Sequence, residues 1–149
     1  MTQAQALVQS GFSIDNLDDA ANSAATFRVA VIVDADGEDK SGFVIVGKNS
    51  PEYQAAARAI RIDGLKRSSK RKSALDTSTD EGAGVVAKAI DANELTLAAS
   101  VVVDWFGFAS NGASAAYSKE TAAKLLAKYP TWREKITAAL DVDANFIKG

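Results

Sequence analysis

Two runs of β-branched residues in the first third of the chain predict a β-hairpin. Residues 27–33 are rich in β-branched residues and residues 43–46 are apolar throughout. The segment between them, 34–42, is rich in Asp, Gly and other turn formers. The two-residue period of a strand places the odd-numbered positions of the first run on one face and Arg28 on the other. Because an isolated hairpin is marginally stable in water, we expect it to pack on helices or on another chain.

Two long stretches after the hairpin carry helix signals. Ser50 and Pro51 suit a helix N-terminus, and the helix that they begin should end between Leu65 and Lys72. A second helix is predicted for residues 85–104. The β-branched residues at its end leave a strand there as an alternative.

Two shorter helices are predicted nearer the C-terminus. Ser118 can cap the first of them, and Pro130 should end it. The segment 131–134 matches a capping box and should begin the next helix. Phe146 is expected to fold back on the core as a hydrophobic anchor.

These elements predict an α+β fold, with an N-terminal β-hairpin packed against a mainly α-helical C-terminal region of about four helices. Residues 1–25 are expected to form a flexible arm, since their apolar positions follow no period. Residues 26–149 are expected to form a single domain. Within it, 26–72 holds the hairpin and a basic helix, 73–84 is a flexible loop, and 85–149 is the helical region.

Composition excludes several kinds of chemistry. The chain has 149 residues, a net charge of −2, no Cys and no His. It therefore has no thiolate, no imidazole base and no Cys-ligated zinc. No apolar run approaches the ~20 residues of a membrane span, and the first residues do not resemble a signal peptide. We expect a cytosolic protein without membrane contact.

Two short motifs resemble ligand-binding loops, but each lacks a residue that the ligand requires. The acidic turn that starts at Asp34 would need Gly and Glu at two fixed places to bind calcium, and those places hold Asp39 and Ile45. A phosphate-loop pattern ending at Gly47-Lys48 has Asn49 where Ser or Thr should hold magnesium. No catalytic residue, metal ligand or cofactor site is therefore predicted, and we do not expect an enzyme.

A basic cluster is the sharpest charge feature. It comprises seven residues, which are Arg58, Arg61, Lys66, Arg67, Lys70, Arg71 and Lys72. Three interpretations stay open: a solvated helix end, a surface for an acidic protein, and a nonspecific contact with nucleic acid. The balanced total charge and the lack of interleaved aromatic residues argue against nucleic acid.

Several motifs of the C-terminal third follow one another in a set order. They read Asp104-Trp105-Phe106-Gly107-Phe108, Asn111-Gly112, Tyr117-Ser118-Lys119-Glu120, Leu125-Leu126-Ala127-Lys128-Tyr129-Pro130, Trp132-Arg133-Glu134 and Asp143-Ala144-Asn145-Phe146. Over residues 91–146 the chain thereby resembles bacteriophage tail-assembly chaperones. It departs from them in lacking a Pro just before the Ser-led helix.

The resemblance implies a protein of virion morphogenesis in the host cytoplasm. Such chaperones bind the long tape-measure protein, keep it soluble and recruit tail-tube subunits. The residues expected to contact partners are Trp105, Phe106, Phe108, Leu125 and Trp132. The alternative for these side chains is a core that holds the binding surface in shape.

Two further functions remain open beside the chaperone. One is a structural protein of the virion tail or neck that associates with copies of itself through the hairpin and the N-terminal arm. The other is a nonspecific nucleic-acid-binding module that uses residues 58–72.

Overall fold

A computed structural model of the chain describes residues 25–70 and 80–146. The first elements are β1 (Thr26–Val33), β2 (Asp39–Val46), α1 (Pro51–Lys70) and α2 (Asp80–Val101). They are followed by β3 (Val102–Phe106), β4 (Ala109–Ser110) and β5 (Ala113–Ser114). The last are α3 (Lys119–Lys128), α4 (Pro130–Leu140) and a 3₁₀ helix (Asp143–Asn145).

The predicted hairpin is present and gains a third strand. The order in this antiparallel sheet is β1-β2-β3, so that β2 is central. The second strand begins at Asp39 rather than at Phe43 because the turn is tight. Asp34 Oδ1 accepts hydrogen bonds of 2.9 Å from the backbone N–H groups of Asp36 and Glu38. The acidic residues of the turn thus serve its backbone.

The core lies between one face of this sheet and helices α2, α3 and α4. Its most deeply buried side chains are Phe43, Ile45, Val101, Leu126 and Ile136. Helix α1 packs chiefly on α2. The chain is therefore an α+β protein with four α-helices in its described part, as the pattern predicts.

Helix α2 differs from the prediction at both ends. It begins at Asp80, so that residues 80–84 of the predicted flexible loop are helical. Asp80 and Glu81 lie in its first turn, where the positive end of the helix dipole stabilises negative charge. The rest of that loop and the predicted N-terminal arm lie outside the described residues, except for Ala25, which is buried.

The second helix ends at Val101, and the next residues form β3, as the alternative interpretation allowed. Val44 of β2 pairs with Asp104, and Phe43 pairs with Trp105. Pairing satisfies backbone groups of β2 that a helical course of residues 102–104 would leave without a strand partner.

Helices α3 and α4 meet at a single residue. Ser118 caps α3 as predicted, since its Oγ accepts a 3.3 Å hydrogen bond from Thr121 N–H. Tyr129 is both the last cap of α3 and the first cap of α4. The capping box predicted at Thr131 is wrong, because Pro130 already occupies the first turn and its fixed φ favours that position.

Candidate functional site

The structure brings four of the five predicted partner-binding residues near the core. Trp105, Phe108, Leu125 and Trp132 are half-buried and pack against it. The rings of Phe43, Trp105, Phe108, Tyr117 and Trp132 form what we call the aromatic cluster. Neighbouring ring centroids in this cluster lie between 5.3 and 6.2 Å apart. Aromatic pairs at such distances stabilise a fold beyond the area they bury.

Two hydrogen bonds fix the outer side of the aromatic cluster. Trp105 Nε1 donates to the carbonyl oxygen of Ala115 at 3.0 Å, and the Tyr117 hydroxyl donates to that of Val102 at 3.0 Å. Burial raises the pKa of Tyr117 above its ordinary value, and the nearby Asp104 charge adds to this effect. The segment after β5 is thereby tied to β3, so the cluster holds the sheet and the helical region in one arrangement.

Phe106 lies apart from the other four, on the outer face of the sheet. Its ring crosses Gly42, where an added Cβ would lie 2.8 Å from Phe106 Cζ. The Arg28 guanidinium lies 3.9 Å from the ring centroid, a cation–π distance. Phe106 is half-buried, so part of its ring remains available to a partner.

Helix α1 has two distinct faces. The residues toward α2 are half-buried and mostly small; they are Tyr53, Ala56, Ala57, Ile60 and Gly64. The opposite face is exposed and is called the basic face here; it carries Arg58, Arg61, Ile62, Leu65 and Lys66. These five follow the spacing i, i+3, i+4, i+7 and i+8, which aligns them along one side of the helix.

The other cations of the basic cluster are arranged differently. Arg67 pairs with Asp63 one turn earlier, at 3.1 Å. Lys70 ends α1, and Arg71 and Lys72 lie outside the described residues. The structure therefore brings part of the predicted cluster onto one surface that also exposes two large apolar side chains.

A cleft of about 310 Å³ lies between the start of α1, the middle of α2 and α4. Tyr53, Ile90, Leu97 and Leu140 supply its apolar lining. An ion pair of 2.6 Å between Lys48 Nζ and Asp141 Oδ1 also borders it, and this hydrogen bond raises the pKa of Lys48. Sequence reasoning missed the cleft because its residues come from distant segments and share no motif.

Arg133 joins three helices beside this cleft. Its Nη1 donates to the carbonyl oxygen of Leu126 at 2.9 Å and to that of Ala127 at 3.4 Å, at the end of α3. Its Nε lies 3.7 Å from Glu94 Oε1, which is too long for a hydrogen bond. The negative end of the α3 dipole also stabilises the Arg133 cation at this position.

Neither a metal site nor a membrane-spanning helix is found in the described part of the chain. Within residues 25–70 and 80–146, no group of three or more acidic side chains is placed to hold a metal ion. In the same part of the chain, no helix combines the length and apolar character that crossing a membrane requires. Comparisons with protein families, with curated proteins and with solved structures found no match for this chain.

Proposed function

We propose that this chain is a phage tail-assembly chaperone that binds the tape-measure protein, the tail-tube subunits or both. It acts in the host cytoplasm by protein–protein contacts and catalyses no reaction. The ordered motifs of residues 91–146 are the source of the proposal.

The observation that carries the proposal is the common packing of these motifs. The ring centroids of Trp105 and Phe108, from the first motif, lie 5.3 Å apart. The centroid of Phe108 lies 6.0 Å from that of Trp132, which belongs to a later motif. Phe146, from the last motif, is buried and lies 6.1 Å from Phe27 of β1. Motifs that pack together in one structural unit support a shared origin with tail-assembly chaperones better than motifs scattered over the surface would.

Exposed apolar side chains also favour a binding role. Ile62, Leu65 and Ile90 on the helices are exposed, as are Ile32 and Val33 at the end of β1. Apolar side chains on a partner's helices promote aggregation, and a protein that covers them prevents it. The exposed positions of this chain are suited to such contacts.

The test is co-expression of the full chain with a long helical tape-measure-like protein and, separately, with a tail-tube subunit. We expect the partner to be soluble only when the chain is co-expressed. We also expect the affinity resin to retain the partner only when the tagged chain is present. Phe106→Ala should weaken retention, because the ring is accessible and lies outside the core. Val142→Ala, which truncates an exposed apolar side chain after α4, is the matched control.

Two outcomes of this test contradict the proposal. One is a partner that remains insoluble at every level of chain expression. The other is a partner that the affinity resin retains equally with and without the tagged chain. A Phe106→Ala variant that retains the partner as well as Val142→Ala does would remove Phe106 from the contact surface alone.

A second candidate, a structural protein of the virion tail, is favoured by one observation. Strand β1 lies at an edge of the sheet, and Phe27, Ile32 and Val33 on it are exposed. Edge strands pair readily with other chains. Lys135 donates to the carbonyl oxygen of Val31 at 3.3 Å, so one acceptor of β1 is already used. Mass spectrometry of purified particles separates the candidates, since a chaperone is absent from them and a structural protein is present in many copies.

A further inference from the structure

The positive charge of the basic face of α1 is a feature that the proposed function leaves unexplained. Ile62 is 44% exposed and Leu65 is 72% exposed. Both lie among cations, and neither Arg58 nor Arg61 forms an ion pair with another described residue. A large apolar side chain that stays in water costs free energy which a partner would recover by covering it.

The charge of this region is opposite to that of the rest of the chain. Residues 58–72 hold seven basic residues and one acidic residue, whereas the other positions hold ten basic and eighteen acidic residues. Because the rest of the surface is acidic, the basic face provides a local attraction for an anionic partner and orients its approach.

The apolar side chains decide which kind of anion fits. In a complex with nucleic acid, Ile62 and Leu65 would lie against phosphates and gain no apolar contact. The only aromatic residue of α1, Tyr53, is half-buried on the opposite face and is not placed to stack on bases. A membrane-surface helix presents a broad apolar face, and the basic face has just two large apolar side chains between its cations.

We propose that the basic face of α1 is a docking surface for an acidic amphipathic α-helix of a partner protein. Leu or Ile side chains of that helix pack on Ile62 and Leu65, as one helix packs on another in a groove. Asp or Glu side chains beside them pair with Arg58 and Arg61, which sets orientation and register. The inference rests on the proposed function in that the partner helix belongs to the protein that the chaperone keeps soluble.

The first measurement uses the full chain and a synthetic helical peptide. A peptide of about 20 residues spans roughly 30 Å as a helix, which matches α1 in length. It carries a Leu seam flanked by Glu, and its two controls replace the Glu residues by Gln or the Leu residues by Ser. At about 0.15 M salt, we expect the acidic Leu peptide to bind at least about tenfold more tightly than either control.

Variants of the chain locate the binding surface. Arg58→Glu/Arg61→Glu should weaken binding of the acidic peptide by at least about tenfold, and Ile62→Ser/Leu65→Ser by at least about fivefold. Lys119→Glu/Lys128→Glu on α3 changes the net charge equally and should leave the affinity within about twofold. All six side chains are exposed, so each variant should keep the circular dichroism spectrum of the parent.

Several outcomes overturn the inference. Equal weakening by the α1 and α3 charge variants would mean that binding is nonspecific electrostatics. Tighter binding of a single-stranded oligonucleotide, or of vesicles of phosphatidylglycerol and phosphatidylcholine, than of the acidic peptide would assign the surface to nucleic acid or lipid. Self-association that needs Arg58 and Arg61, with no affinity for the peptide, would assign it to a second copy of this chain.

The same variants separate this inference from the proposed function. If Arg58→Glu/Arg61→Glu keeps the co-expressed partner soluble as well as the parent chain does, the chaperone proposal stands and the docking surface is wrong. If the parent chain binds the acidic peptide at the basic face but leaves both tail proteins insoluble, the docking surface stands and the chaperone proposal fails.

Discussion

Gly107 lies where the chain leaves β3 and passes close to the start of β2. Its φ of +75° is in the left-handed region, and an added Cβ would overlap the carbonyl oxygen of Lys40. Its own carbonyl oxygen accepts a 2.8 Å hydrogen bond from Ser41 Oγ. Backbone conformation and close approach therefore both require glycine here.

We predict that Gly107→Ala lowers the free energy of unfolding by about 2–4 kcal/mol, because left-handed strain adds to the displacement of β2. Gly112→Ala is the matched control. Gly112 has a φ of +80° but no heavy atom within 4 Å of an added Cβ, so only the strain of about 1–2 kcal/mol remains. Urea unfolding measures both, and equal losses would contradict the role of the close approach.

From the burial of Tyr117 we predict that the free energy of unfolding falls at alkaline pH. Burial raises its pKa in the folded state above the ordinary 10.0. The folded state therefore holds the proton more tightly than the unfolded state does. This contribution is complete below about pH 10 and is lost as the pH rises through the raised pKa. Tyr117→Phe should flatten the decline in unfolding free energy above about pH 10, measured by urea unfolding, and an unchanged slope would contradict this.

At the scale of elements, Arg133 shows how one side chain orders α2, α3 and α4. Its side chain is 11% exposed, whereas that of Glu94 is 31% exposed. Arg133→Met keeps the apolar stem and removes the hydrogen bonds to the end of α3, so we expect a loss of about 1.5–3 kcal/mol in unfolding free energy. Thermal and urea unfolding check the value.

Glu94→Gln is the control for the ion pair alone. Because the pair is long and partly solvated, we expect this variant to lose less than about 1 kcal/mol. A loss as large as that of Arg133→Met would show that the charge of Glu94, and not the capping of α3, holds the three helices together.

Local patterns predicted some elements well and others poorly. The hairpin and the Ser118 cap follow from neighbouring residues and are present in the structure. Strand β3 depends on pairing with β2, which lies far away in sequence, and its β-branched residues continue a long helical stretch. The capping box at Thr131 was wrong because Pro130, one residue earlier, begins the helix instead.

The candidate surfaces show the same division. Periodicity along α1 defines the basic face, because all of its residues come from one helix. The cleft beside Lys48 and Asp141 had no local signal, since it forms only when α1, α2 and α4 pack together. The placement of Phe106 outside the aromatic cluster also depended on β3 being a strand.

At the scale of the whole molecule, charge is unevenly distributed. The net charge is −2, yet residues 58–72 are strongly basic. At pH 7 and about 0.1 M salt, we predict that the chain is retained on a cation exchanger despite its acidic pI. Screening then limits the reach of exposed charges to about 10 Å, so the resin responds to the basic face rather than to the net charge. Arg58→Glu/Arg61→Glu should abolish retention, whereas Lys119→Glu/Lys128→Glu should not. Equal loss in the two variants would show that overall charge decides.

The single-residue junction at Tyr129 restricts how the chain can change in length. One inserted residue would rotate α4 by about 100° relative to α3 and turn Ile136 and Leu140 away from the core. Insertions are tolerated far better at the tip of the β4–β5 hairpin, where Asn111 and Gly112 are exposed. Homologues of this chain are therefore expected to vary in length at that tip and to keep a constant number of residues between Leu126 and Ile136.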